Sequence, residues 1–187
     1  MQTAEQVDYV TVEDYLSAEE KSDIRHEYLG GLVYAMAGET RPHNQIVGNL
    51  YFALRQHLRG GPCKLYMSDI RVNFRLQDDE YFYYPDVVVT CGPGDNHPRF
   101  VREPKLIIEV LSPSTERVDK REKFFAYTTV DSLEEYVLIA QESREVTISR
   151  RANQWRKEVI AGADTSVTFA SIQFTLPLAA IYEGAQA

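Results

Sequence analysis

Cysteine is scarce in this chain: Cys63 and Cys91 are the two copies among 187 residues. One such pair defines neither a disulfide framework nor a zinc-type ligand set, so both read as reduced thiols in a cytoplasmic protein. Long apolar runs are missing too. No stretch reaches the roughly 20 residues that cross a bilayer, and Met1–Glu20 lacks the basic flank and apolar core of a secretory signal. A soluble protein without membrane contact is expected. Positive charge is outnumbered: the formal net charge is −8, which argues against coating nucleic acid through a broadly basic surface. An enzyme that touches nucleic acid locally stays open, because metal-holding carboxylates count as negative until the ion offsets them. Glycine-rich phosphate loops are absent as well. No Gly-x-Gly-x-x-Gly or Gly-x-x-x-x-Gly-Lys run follows a strand. Gly92-Pro93-Gly94 follows one but opens no helix. No elbow motif presents a serine or cysteine nucleophile.

What is present reads as one mixed α/β domain. The hydrophobic share of 44% is enough for a sizeable core at this length, and the 12 tyrosines supply polar-tipped aromatics for surfaces or interfaces. Thr11-x-x-Asp14 caps a short helix over Thr11–Glu20. Glu27–Ala37 forms a hairpin about Gly30-Gly31. Pro42 opens a helix whose apolar face is Ile46, Val47, Leu50, Ala53, Leu54 and Leu58, ended by Gly60-Gly61-Pro62. Leu65–Leu76 and Tyr81–Cys91 read as strands around a polar turn, the second interrupted by Pro85, and Gly92–Pro104 is a loop. Lys105–Leu111 has the near-continuous apolar run of a strand covered on both faces. Ser114 caps a helix over Thr115–Thr128, and Glu134–Ala140 follows as a parallel partner strand. Arg144–Arg150, Gln154–Ile160 and Thr168–Thr175 are further strands, and Pro177–Tyr182 is a closing helical turn. The expectation is a single domain over 1–187. Its core spans about 10–150, a mixed sheet flanked by helices, with extra antiparallel strands at 151–187.

Glu109 carries the chemical argument. It interrupts Leu106-Ile107-Ile108 and Val110-Leu111 in a strand expected to be buried. A bare carboxylate there costs several kcal/mol or is driven to protonate. It therefore needs a partner: an arginine, a hydrogen-bond network or a cation. Asp86 follows Pro85 and enters the apolar Val87-Val88-Val89, and a proline in a strand marks an edge, a bulge or an end. Two carboxylates entering two adjacent apolar strands supply the oxygen ligands that Mg²⁺ takes. Asp119 and Lys123 stand four apart on one helix face, with Tyr127 four further on. That face is either a solvated ion pair or a group turned over the strand ends, where Lys123 meets a phosphate or an attacking water.

These residues form a recognisable set. Tyr84-Pro85-Asp86-Val87-Val88-Val89, then Pro104 through Glu109-Val110-Leu111-Ser112-Pro113-Ser114-Thr115, then Asp119, Lys123 and Tyr127, then Glu135-Tyr136-Val137-Leu138, resemble the Uma-type restriction endonuclease family of the PD-(D/E)XK nuclease superfamily. Arg25-His26-Glu27-Tyr28-Leu29-Gly30-Gly31 and His43 fit the same pattern, and the resemblance spans Val10 to Arg150. It implies a restriction-endonuclease-like fold and a metal-dependent endonuclease acting on DNA. Asp86 and Glu109 would hold Mg²⁺ or Mn²⁺. The sequence departs from the superfamily at Leu111, where a lysine is expected two residues after the glutamate, and Lys123 is the substitute. Glu27 is either a further carboxylate for the metal or a surface residue beside a hairpin. His43 caps, packs or contacts the site. Asp69 and Arg71 are further polar positions that spacing does not place. A homodimer is expected, since two-fold symmetry would let a nuclease address two strands. The competing expectation is a nuclease fold without turnover, acting as a binding or interaction module.

Overall fold

Thr11 caps the first helix, α1 (Val12–Glu19): its hydroxyl oxygen accepts from the Asp14 N–H at 3.1 Å and donates to the Asp14 carboxylate at 2.7 Å. The computed structural model describes residues 9–36, 38–112, 119–162 and 164–185, with backbone alone at 119 and 120. β1 (His26–Leu29) and β2 (Leu32–Ala35) pair with Leu29 opposite Leu32. Gly30 and Gly31 are therefore a two-residue turn, and their φ values of +54° and +100° are what a primed hairpin turn demands. Thr40 caps α2 (Arg41–His57), Pro42 sits in its first turn, and Ile46, Val47, Leu50 and Leu54 are buried along one face.

The two long strands expected next are each divided. Leu65–Leu76 splits into β3 (Lys64–Met67) and β4 (Arg71–Leu76); Tyr81–Cys91 splits into β5 (Asp79–Tyr83) and β6 (Val87–Thr90). β3 pairs with β6, while β4 pairs with β5 in a different sheet. The whole is one long hairpin, broken on both arms at the same level. One break is at Ser68, which takes a φ of +53°; the other is at Pro85, which has no N–H to give a ladder. The breaks face each other, since the Ser68 N–H donates to the Asp86 carbonyl at 3.1 Å. Apolar residues resume on the far side of each break, so composition alone joins what the chain separates.

Two main sheets result, and the fold is mixed α+β. The first has the order β2-β1-β5-β4-β7, where β7 (Phe100–Val101) is a short strand inside the expected Gly92–Pro104 loop and runs parallel to β4. The second has the order β11-β10-β9-β8-β6-β3. Its centre is β8 (Pro104–Leu111), parallel to β9 (Glu135–Ala140) as the crossover reading implies, with β10 (Glu145–Arg150) and β11 (Lys157–Ala161) antiparallel beyond. The expected Thr168–Thr175 strand is instead a hairpin of β12 (Ser166–Phe169) and β13 (Phe174–Pro177), turned by a 3₁₀ segment at Ala170–Ile172. α3 (Phe124–Tyr127) and α4 (Leu178–Ile181) complete the elements used below. Ser114 and residues 115–118 of the expected Thr115–Thr128 helix lie outside the described residues; Asp119–Lys123 is wound as a π-helix leading into α3.

β8 is covered on both faces. Leu106, Ile108 and Val110 pack with Ile46, Leu50 and Leu54 of α2 and with Phe169 and Leu178. Ile107 and Leu111 pack on the other face with Phe74, Tyr83, Tyr127 and Tyr136. No helix among the described residues is long and apolar enough to cross a membrane.

The reading of two reduced thiols is overturned. Cys63 and Cys91 form a disulfide with Cα atoms 4.1 Å apart. The cause is register: Lys64 lies opposite Thr90, so the next residues outward meet across the β3–β6 ladder, a relation that sequence spacing does not reveal. Closing this loop stabilises the fold by about 3–4 kcal/mol through the unfolded chain. Cys63→Ser with Cys91→Ser is expected to lower Tm by roughly 10 °C. Alkylation that finds two free thiols in the native protein, or a Tm unmoved by the double change, contradicts it.

Candidate active site

The hinge in the long hairpin delivers Asp86. It lies one step beyond the Val87–Ile108 pair of β6 and β8, which puts it beside Glu109. The two residues lock each other. The Asp86 N–H donates to Glu109 Oε2 at 3.2 Å, and the Val110 N–H donates to Asp86 Oδ2 at 2.7 Å. The sheet's own ladder groups thus orient both carboxylates, and a one-residue slip would break both bonds.

Four more side chains extend the pair into a chain. Lys123 Nζ lies 3.3 Å from Glu109 Oε1 and 3.0 Å from Glu27 Oε1, and 5.6 Å from the Tyr83 ring centroid. Glu27 Oε1 also accepts the Tyr84 N–H at 3.2 Å. At the other end, His43 Nε2 is 3.1 Å from Asp86 Oδ2 and 3.7 Å from Glu39 Oε2. Glu109 and Lys123 are only 3% and 5% exposed, so the centre of this charged run is buried, where unpaired members would be costly. Burial pushes the His43 pKa down, yet the hydrogen bond and charge of Asp86, with the charge of Glu39, outweigh it. The net displacement is upward from the ordinary 6.5.

Of the residues singled out in the sequence, the structure gathers Asp86, Glu109, Lys123, Glu27 and His43. Lys123 arrives differently from the i, i+4 picture. It is the last residue of the π segment Asp119–Lys123, a winding that recurs at functional positions in helices. Tyr127 is not gathered with them. It is fully buried in a ring cluster, 5.4 Å from Tyr83 and 5.6 Å from Phe74 and from Tyr136. The Asp119 side chain lies outside the described residues. Leu111 is buried among the same aromatic residues, so the position that carries lysine in the superfamily points into core here. Asp69 is exposed and pairs with Arg25 at 3.6 Å. Arg71 is buried, its guanidinium carbon 5.6 Å from the Tyr15 ring centroid and 5.7 Å from those of Phe82 and Tyr84.

The donors suit a hard divalent cation. Both hydrogen bonds to the Asp86 side chain fall on Oδ2, and Oδ1 makes none among the described residues. Carboxylate oxygens are the ligands of Mg²⁺ and Mn²⁺ rather than of softer metals. No group of three or more His, Cys, Asp or Glu residues forms a cage among the described residues. Two carboxylates completed by water and phosphate oxygens are, however, how magnesium is ordinarily held.

A family model, Uma2, described as a putative restriction endonuclease, matches residues 12–179. The chain belongs to this family. Two Synechocystis sp. proteins are similar to it. Slr1290 is 37% identical over 137 residues, 73% of this chain and 71% of its own length. Sll1609 is 31% identical over 165 residues, 86% of this chain and 92% of its own length. A crystal structure from Anabaena variabilis, described as a putative nuclease belonging to DUF820, superposes with a TM-score of 0.77. It covers 95% of this chain and 99% of its own at 16% identity, which supports the restriction-endonuclease-like fold. The residues that spacing missed are Tyr84, whose N–H holds Glu27, and Glu39 beside His43. Neither carries a signal beyond its position next to Pro85 or the α2 cap.

Proposed function

We propose that this Uma2 protein is an endonuclease that hydrolyses phosphodiester bonds in DNA with Mg²⁺ or Mn²⁺ held by Asp86 and Glu109. The observation that carries this reading is the reciprocal lock of Asp86 and Glu109 with a buried ammonium 3.3 Å from Glu109. Keeping the buried Glu109 beside the partly exposed Asp86 at a chain hinge has a stability cost, and cation binding is what such an arrangement provides. A bound divalent ion there supplies Lewis acidity to the phosphate and lowers the pKa of a water ligand.

The protein groups divide the remaining work. Lys123 places positive charge beside the reacting phosphate and offsets the charge that builds in the transition state. Glu27 holds the Lys123 ammonium from the other side and fixes its height over the strand ends. His43 occupies Oδ2 of Asp86, so that Oδ1 is the oxygen presented to a cation. The test is plasmid cleavage with Mg²⁺, Mn²⁺ or chelator, comparing the parent protein with Asp86→Ala and Glu109→Ala. Each variant is expected to lose at least about a hundredfold, and undiminished cleavage by both would sink the assignment. A two-fold dimer that addresses both strands belongs to this reading, and light scattering measures it.

Two observations favour a second reading. Leu111 is committed to the core, and Lys123 is engaged by two carboxylates. A nuclease fold that binds nucleic acid without turnover shares those features. It predicts calorimetric Mg²⁺ binding with no cut in any DNA substrate.

A further inference from the structure

Asp86 and His43 open onto a cleft of about 580 Å³. Arg41, Asn44 and Gln45 line it from the first turns of α2, and Arg25 and Ser68 from the hinge side. Arg41 is exposed and makes no ion pair or side-chain hydrogen bond among the described residues. Arg25 is held in place: its Nη1 donates to the Ser68 carbonyl at 2.8 Å and its guanidinium carbon lies 6.0 Å from the Tyr84 ring centroid. Its Nε and Nη2 make no bond among the described residues. Two arginines bordering the cleft of a candidate metal ligand run against the chain's net charge of −8. A neighbouring cleft of about 450 Å³ shares Arg25 and Tyr84 but sets that one arginine against Glu19, Asp23 and Asp69, whereas the first cleft sets two arginines against Glu39 and Asp86, so the neighbour is the more repulsive to a polyanion. Charge thus favours one exit from the site, along the start of α2.

We propose that the DNA strand runs through this cleft along the start of α2, with Arg41 and Arg25 holding backbone phosphates that flank the cut. This rests on the nuclease reading. The guanidinium fork suits phosphate oxygens, and each phosphate contact releases counterions, so its loss appears in the salt dependence. The experiment measures kcat/KM and KM for a fluorescently labelled oligonucleotide over a series of salt concentrations, with the same slopes read by anisotropy binding. Arg41→Ala is expected to raise KM roughly tenfold with kcat little changed, and to flatten the log–log salt slope by about 1. Arg25→Lys keeps the charge but not the fork, so KM rises while the slope holds. Arg156→Ala, an exposed arginine beyond the cleft, removes the same charge and leaves the slope alone. Equal slopes for Arg41→Ala and Arg156→Ala overturn the proposal, since only bulk charge would then matter. Cleavage with unaltered slopes defeats this inference and spares the nuclease reading. Binding slopes as expected without cleavage defeat the nuclease reading and keep the cleft. Failure to bind the oligonucleotide defeats both.

Discussion

Lys123→Met is expected to lower DNA cleavage at least about a hundredfold and to cost the metal-free protein roughly 3–5 kcal/mol. Methionine keeps most of the aliphatic stem and its packing, so what is lost is charge. The ammonium lies 3.0 Å from Glu27 and 3.3 Å from Glu109. Without it, two carboxylates lose the cation that compensates their burial. The two losses separate when metal is added. A divalent ion that binds only the folded state raises its stability by mass action, and it supplies positive charge to the same carboxylates. Mg²⁺ should therefore raise the Tm of Lys123→Met more than that of the parent, while cleavage stays low because the ion cannot also stand where the ammonium met the phosphate. Melting curves with and without Mg²⁺ and a nicking assay read the two effects. A variant that cuts at the parental rate removes Lys123 from the chemistry. A variant with parental stability in chelator shows that Glu27 and Glu109 are held by other groups.

How far the site was legible follows from the kind of signal each residue gives. Glu109 stands out because one carboxylate in an apolar strand has few physical excuses. Asp86 is legible through Pro85, which breaks the strand where the side chain must leave the ladder. Lys123 was reached by helical spacing although the local winding is π. Lys123 still reaches the carboxylates because both windings return a residue to one side within a turn, while Tyr127, at the same spacing, packs into the core. The first arm of the long hairpin reads as one strand because apolar residues resume directly after Ser68 and Asp69, whereas Pro85 marks the interruption of the second arm. The hairpin's division is a tertiary effect, since each half gains a different sheet to pair with. The disulfide and the lining of the cleft depend on register and on which helix end meets which hinge, and neither is written in local order.

Glu135→Ala is the companion experiment, expected to cost about 3–5 kcal/mol and lower Tm by roughly 10 °C while leaving cleavage per folded molecule within about twofold, as at a site remote from transition-state charge. Glu135 meets the same physical demand as Glu109, being 1% exposed in the neighbouring strand of the same sheet. Its partners are different in kind. Oε1 accepts from Arg150 Nε at 2.8 Å and from the Ala170 N–H at 3.0 Å. Oε2 accepts the Ser171 N–H at 2.9 Å and the Ser171 hydroxyl at 2.5 Å. Arg150 in turn donates to the Thr168 carbonyl at 2.8 Å. Both oxygens are thus saturated by donors that tie β9 and β10 to the β12–β13 hairpin, and none of those donors belongs to the site. Removing the carboxylate strands the Ser171 and Ala170 N–H groups and leaves Arg150 without its buried partner. A buried glutamate by itself therefore says only that a partner exists. Arginine and backbone amides make it a staple; a second carboxylate, a lysine and an Asp86 oxygen without a hydrogen bond among the described residues make it a candidate site. Activity measured below the lower Tm separates them: parallel losses in Glu135→Ala and Glu109→Ala would show that both act through stability and would withdraw the catalytic assignment from Glu109.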